Sequence, residues 1–169
     1  MTLAKFTEPN LLVPRLLSET HDSAIAELGG RLEKAGRISN VAAFTHAVLK
    51  HESFVSAVFD EVAFPLARGS AINELSFALG LSQPGIRWGD SKASTVHAIV
   101  LFAVPLSAEH SYLSLVMSFS SFLKDEIAFS ALRRCVQPEE MFSVLNHFNC
   151  AFIDPHPTGA SGVSAGRGK

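Results

Sequence analysis

His110, Arg68 and Lys50 are the side chains of this chain with the clearest capacity for chemistry. Arg68 and Lys50 carry fixed cations that attract a phosphate or a carboxylate; the competing reading is ordinary surface charge. His110 stands in Glu109-His110-Ser111-Tyr112-Leu113, where a helix is expected to start. A lone histidine is more often a partly exposed polar residue than a site. His97 lies inside the most apolar run of the chain and reads as a satisfied structural histidine. His21, His46, His51, His147 and His156 have no metal-like spacing with acidic or cysteine neighbours. The separation of His46 from His51 is not the i, i+4 pairing of a helical metal site. Cys135 and Cys150 have no histidine placed to activate them and read as buried or inert. The chain carries no phosphate-binding Walker loop, dinucleotide fingerprint or nucleophile elbow. No metal and no cofactor is expected.

These side chains need elements to position them. Leu11-Leu12-Val13 before Pro14 predicts a short entry strand. A first helix is expected from about Asp22 to Ala35, with Ile25, Leu28 and Leu32 on one face and Gly36 as its stop. The Gly29-Gly30 pair inside it marks a close backbone approach. Asn40 is the expected cap of a second helix reaching Glu52, with Val41, Phe44 and Val48 inward. Phe54 to Arg68 reads as loop with a short strand around Val62-Phe64. Leu75 to Leu81 reads as a strand, followed by a Gln83-Pro84-Gly85 turn and a short Ile86-Trp88 segment. Thr95 to Val104 is apolar almost without interruption, as a strand covered on both faces would be. Three helices follow: one capped by Ser107 through about Leu123, a short one capped by Asp125, and one whose first turn holds Pro138. This order predicts an α/β fold, a small mixed β-sheet with helices on both faces. One domain is expected over residues 1–153, and 154–169, rich in Pro, Gly and Ser, reads as a disordered tail.

The bulk numbers agree. A chain of 169 residues, 47% hydrophobic and 18% charged, has enough apolar material for one globular core. Its formal net charge is −2 with no basic or acidic block, so there is no electrostatic case for a nucleic acid or an anionic membrane. The longest apolar run, Ala98 to Leu106, is too short to span a bilayer. Two cysteines without a secretory leader point to a reduced, cytoplasmic protein.

The segment Glu61-Val62-Ala63-Phe64-Pro65-Leu66-Ala67-Arg68 carries a further signal. It resembles the active-site segment of the type-2 EIIA domains of the bacterial phosphoenolpyruvate-dependent phosphotransferase system, the fructose, mannitol and nitrogen-regulatory branch. That segment reads roughly G-I-A-[IV]-P-H-[AG]-[RK], and its histidine carries the phosphoryl group. Val62, Ala63, Pro65, Ala67 and Arg68 fit, and Leu66 stands at the histidine position. The resemblance extends over about residues 8–150. It includes Lys50-His51 in place of an Arg-Glu pair, Ser56 in place of a loop Ser/Thr, Val96 to Pro105, Glu109 to Leu113, and Pro138 to Phe142.

This resemblance implies the family fold and a pocket of Leu66, His110, Arg68, Lys50 and Ser56. Leucine has no lone pair and accepts no phosphate. The loop before the strand, glycine-rich in the family, is Phe54 to Glu61 here and has no glycine. The resemblance therefore implies a domain that has lost its acceptor and works as a regulatory, protein-binding module. Its partner would be a histidine phosphocarrier protein or a regulated kinase or transporter. Phe54, Val55, Phe59, Phe64 and Leu66 would form the apolar docking patch. The alternative is an active phosphocarrier that uses a displaced histidine, His110 or else His51, with Arg68 and Lys50 steadying the moving charge.

Overall fold

The computed structural model describes residues 1–89 and 94–149. The expected tail and Cys150 lie outside the described residues. The elements are β1 (Leu12–Val13), α1 (His21–Lys34), α2 (Val41–Phe54), β2 (Val58–Phe59), β3 (Val62–Ala63), β4 (Leu66–Gly69), β5 (Ser76–Trp88), β6 (Ser94–Pro105), α3 (Glu109–Lys124), α4 (Glu126–Arg133) and α5 (Pro138–His147). Short 3-10 turns at Leu3–Phe6, Pro9–Leu11 and Leu106–Ala108 complete the described chain.

The sheet is built around β6. On one edge β6 pairs antiparallel with β5, which in turn holds β1 in parallel. On the other edge it takes two parallel partners in succession, β3 at Ala98-Ile99 and β4 from Phe102 to Pro105. β2 closes the edge as a hairpin with β3. The near-continuous apolar run of β6 has the reason its sequence implied, since helices cover both faces. Ile99, Leu101 and Ala103 face a core shared with Ile25, Leu28 and Leu32 of α1 and Phe44 and Val48 of α2. Ala98, Val100, Phe102 and Val104 face the opposite core, with Leu115, Phe119 and Phe122 of α3, Leu132 of α4 and Met141 and Leu145 of α5. The fold is mixed α/β with a six-stranded sheet.

Local chemistry sets the helix ends. Thr20 and Ser23 form a reciprocal capping box at α1, Asn40 Oδ1 accepts from Ala43 N–H at α2, and Asp125 accepts from Ile127 and Ala128 N–H at α4. Pro138 occupies the first turn of α5. Gly29 marks the close approach: a Cβ there would lie 3.3 Å from Val41 Cγ2 of α2.

Three local expectations are corrected. Leu66 to Gly69 is a strand, not loop, because the edge of β6 beyond β3 is free to pair with it. Gln83-Pro84-Gly85 does not end β5; the strand runs through it as a bulge between Leu81 and Ile86. Proline is tolerated because the bulge leaves no ladder bond for it to donate. Gly85 has φ +85°, and a Cβ there would lie 2.3 Å from Thr95 Cγ2. Ser107 does not cap α3. It falls inside the 3-10 turn, and the helix begins after Ala108 with no side-chain cap.

Candidate functional site

Leu66 and Arg68 are alternate residues of β4 and share the face that looks toward α3. The residue between them, Ala67, belongs to the opposite core. Leu66 lies in register with Phe102 of β6 and is half-buried against the apolar layer that also holds Phe64 and Tyr112. Phe102 is the hub of that layer. Its ring meets Phe77, Phe119 and Tyr112 edge-on, with centroids 6.2, 5.7 and 5.4 Å away. Leu66 is thus packed against an aromatic layer on one side and open to water on the other.

Arg68 reaches α3 directly. Its Nη1 donates to Glu109 Oε1 at 3.5 Å, with both side chains open to water. Burial pushes the Tyr112 phenol up, and the Arg68 guanidinium opposes that in part. Glu109 and Tyr112 are i, i+3 neighbours, so one face of α3 meets β4. His110 is exposed, and its ring makes no hydrogen bond or ion pair among the described residues. Arg68 also borders a cleft of about 120 Å³ against the start of α2, which takes in Ala67 and Gly69 but not Leu66.

Lys50 rises exposed from α2, the layer on the far side of the sheet from α3. Ser56 borders a cavity of about 900 Å³ beyond the end of α2, together with His21, Asp22, Glu52, Phe54 and Arg87. The five expected pocket residues therefore stand in distinct settings: Leu66 and Arg68 on β4, His110 at the start of α3, Lys50 on α2, Ser56 in the following loop.

That loop has its own architecture. Val58 and Phe59 pair with Ala63 and Val62 around a two-residue turn, Asp60-Glu61. Asp60 takes φ +52°, the left-handed conformation that glycine would adopt at least cost. Glu61 is not a free negative charge, because Arg133 of α4 holds it at 3.1 Å. Phe54, Val55 and Phe59 are 79, 60 and 45% exposed. Phe64 and Leu66, by contrast, are packed against the core.

Sequence reasoning passed over two arrangements. Glu109 as the partner of Arg68 carries no local signal. Nor does a cluster at the start of α1, where His21 lies 3.5 Å from Glu52 and 2.7 Å from Asp22, its ring centroid 4.2 Å from that of Trp88. The Glu52 hydrogen bond raises the His21 pKa above 6.5, against burial, with Asp22 adding to the rise. The Trp88 indole N–H is buried without a hydrogen-bond partner among the described residues.

This small mixed sheet with helical layers on both faces is a fold the chain shares with solved phosphotransferase IIA structures. Residues 5–148 match the family model described as phosphoenolpyruvate-dependent sugar phosphotransferase system, EIIA 2, and the chain belongs to that family. It is 26% identical over 149 residues to the 2-O-alpha-mannosyl-D-glycerate-specific EIIABC component of Escherichia coli, a match covering 86% of this chain and 23% of that protein. The chain thus spans about a quarter of that relative's length. Among solved structures it is similar to the nitrogen regulatory protein IIA-Ntr of Neisseria meningitidis, with TM-score 0.75 and 16% identity over 85% of this chain and 98% of that one. It is also similar to the Escherichia coli mannitol IIA enzyme in its complex with phosphorylated IIB, with TM-score 0.69, 17% identity, and coverage of 83 and 96%. No helix among the described residues is long and apolar enough to cross a membrane.

Proposed function

We propose that this domain has left phosphoryl transfer and acts as a protein-binding, regulatory member of its family. The observation that carries the reading is Leu66. It stands where the family motif places the acceptor, and it lies against Phe102 in an apolar layer. A side chain without a lone pair forms no phosphoryl bond. The nearest cation also supports the reading, because Glu109 already answers Arg68. A phosphoryl group arriving there would compete with a carboxylate for that guanidinium.

The binding half of the proposal rests on Phe54, Val55 and Phe59, apolar side chains left in water between the end of α2 and the β2–β3 hairpin. The IIA mannitol enzyme is solved in complex with phosphorylated IIB, and this domain is proposed to meet a protein partner in the same general way. A phosphotransferase domain, a histidine phosphocarrier, or a regulated kinase or transporter fits, with the cytoplasm as the setting.

The test is to incubate the protein with phosphoenolpyruvate, the system's first enzyme and its histidine phosphocarrier, and weigh it. An unchanged mass is expected. A gain of one phosphoryl group that maps to the His110 peptide and vanishes in His110→Ala would replace this reading with the displaced-histidine carrier.

A further inference from the structure

We propose that the cleft where the end of β1, the bulge of β5 and the α4–α5 junction meet is a second binding site, suited to a small molecule bearing a phosphate group. It goes beyond the proposed protein-binding role and does not depend on it. The cleft encloses about 540 Å³, within the range of small-molecule sites. From His97 to Phe102 along β6 is about 3.3 Å per residue, so the cleft stands well apart from Leu66.

Three arginines border it: Arg15 after β1, and Arg133 and Arg134 at the end of α4. No aspartate or glutamate does. In a chain with 14 lysines and arginines against 16 acidic residues, that is not the expression of a general positive excess. Arg133 is held in place from outside the cleft, by Glu61 at 3.1 Å and over the Phe129 ring at 5.7 Å. Arg15 and Arg134 have no carboxylate partner among the described residues. Glu140, the nearby acid of α5, is engaged by the Val136 N–H at 3.0 Å.

The remaining walls fit a ligand rather than a counter-ion. Ser82 is only 5% exposed, yet its hydroxyl makes no hydrogen bond among the described residues. The hydroxyl is thus available to a ligand, and the bulge between Leu81 and Ile86 also takes the main chain of Ser82 and Gln83 out of the β5–β6 ladder. His97 Nδ1 binds the Ser82 carbonyl at 3.0 Å and fixes that backbone. Pro14, Leu81 and Val136 supply an apolar side. Guanidinium groups present paired N–H donors that match phosphate oxygens, which a point-charge ammonium does not. Such forks match carboxylates as well, but three of them with no acid among them suit the higher charge of a phosphate monoester, and the apolar side suits one with an apolar portion.

Calorimetric titration tests this with phenyl phosphate, inorganic phosphate and benzoate as probes. Phenyl phosphate is expected to bind saturably, inorganic phosphate more weakly and benzoate more weakly still. Arg15→Gln with Arg134→Gln should weaken phenyl phosphate at least tenfold, while Lys34→Gln, exposed at the end of α1 and away from the cleft, changes nothing. Phenyl phosphate should also slow alkylation of Cys135, which borders the cleft, when the Cys135 peptide is followed by mass. No saturable binding of phenyl phosphate overturns the site. So does equal affinity in the double variant with an unchanged circular dichroism spectrum. If that variant fails to fold, the single Arg134→Gln variant and the alkylation arm decide by the same criteria. Benzoate binding as tightly as phenyl phosphate overturns the assignment to phosphate.

Discussion

Replacing Leu66 separates packing from chemistry at the position where the family's acceptor would stand. A leucine side chain taken fully out of water contributes about 1.5–3 kcal/mol, and full truncation to alanine in a core costs about 2–5 kcal/mol. Leu66 is half-buried, touching the Phe102 layer on one side and open on the other. Leu66→Ala is therefore expected to cost about 1–2 kcal/mol, between the core value and the few tenths typical of an exposed site. Leu66→His should cost at least as much, since it loses the same contacts and brings a polar ring against Phe102. Urea unfolding of both variants measures this, with the slope compared to ensure that only the midpoint moves. Leu66→His is also expected to stay unphosphorylated in the transfer assay. The loop ahead of β4 keeps Phe54, Phe59 and the Glu61–Arg133 pair where the family carries glycines. An unchanged midpoint for Leu66→Ala would refute the packing argument. A transfer rate for Leu66→His close to that of an active relative would show that the loop is no obstacle.

The His21 cluster should make stability depend on pH. Its folded pKa is raised above 6.5, so its contribution is fully present below about pH 6.5 and is lost as pH rises through the higher folded value. Stability of the wild type should fall across that window, and His21→Asn should flatten the fall; a parallel fall in both would discard the cluster as its cause. The ring of His21 lies against Trp88, the only tryptophan, so intrinsic fluorescence should titrate over the same window and lose that step in His21→Asn. Gly85→Ala should cost about 2–4 kcal/mol, adding a left-handed backbone penalty to a steric one at Thr95; a melting temperature within a degree of wild type would contradict it. The exposed Arg133–Glu61 pair should show a coupling of about 0.2–1 kcal/mol in a double-mutant cycle, and a value near zero would mean that it does not hold the hairpin to α4.

Much of the architecture was legible because it is local or strongly patterned. β6 announced itself by apolar residues on both of its faces, α1 by Ile25, Leu28 and Leu32 on one face, and α2 and α4 by caps that the structure keeps at Asn40 and Asp125. β4 was not legible. Four residues bounded by Pro65 and Gly69 carry no alternation of their own, and their status as a strand is conferred by Phe102 to Pro105, far along the chain. β5 misled for the opposite reason. Gln83-Pro84-Gly85 is a genuine turn signal, but a bulge uses the same residues as a turn. At β6 the Glu61 carbonyl accepts from both His97 and Ala98 N–H, a second irregularity that shifts the side-chain alternation. The candidate site was legible only as far as Leu66 and Arg68, which one motif carries together. Glu109 meets Arg68 where a strand meets a helix, and the His21–Glu52 pair forms where two helices meet; no spacing in the sequence records such meetings.

The pairing of β4 with β6 has one more implication. Parallel ladder bonds run between main-chain groups, so they hold residue 66 in place whatever its side chain is. The scaffold and the reactive group are thus separable parts. On the proposed reading, a lineage that exchanged the acceptor for leucine would keep the main-chain outline of the domain. Such a molecule would compete for the seats of its active cousins without passing anything on, and its abundance rather than its turnover would set how strongly it acts.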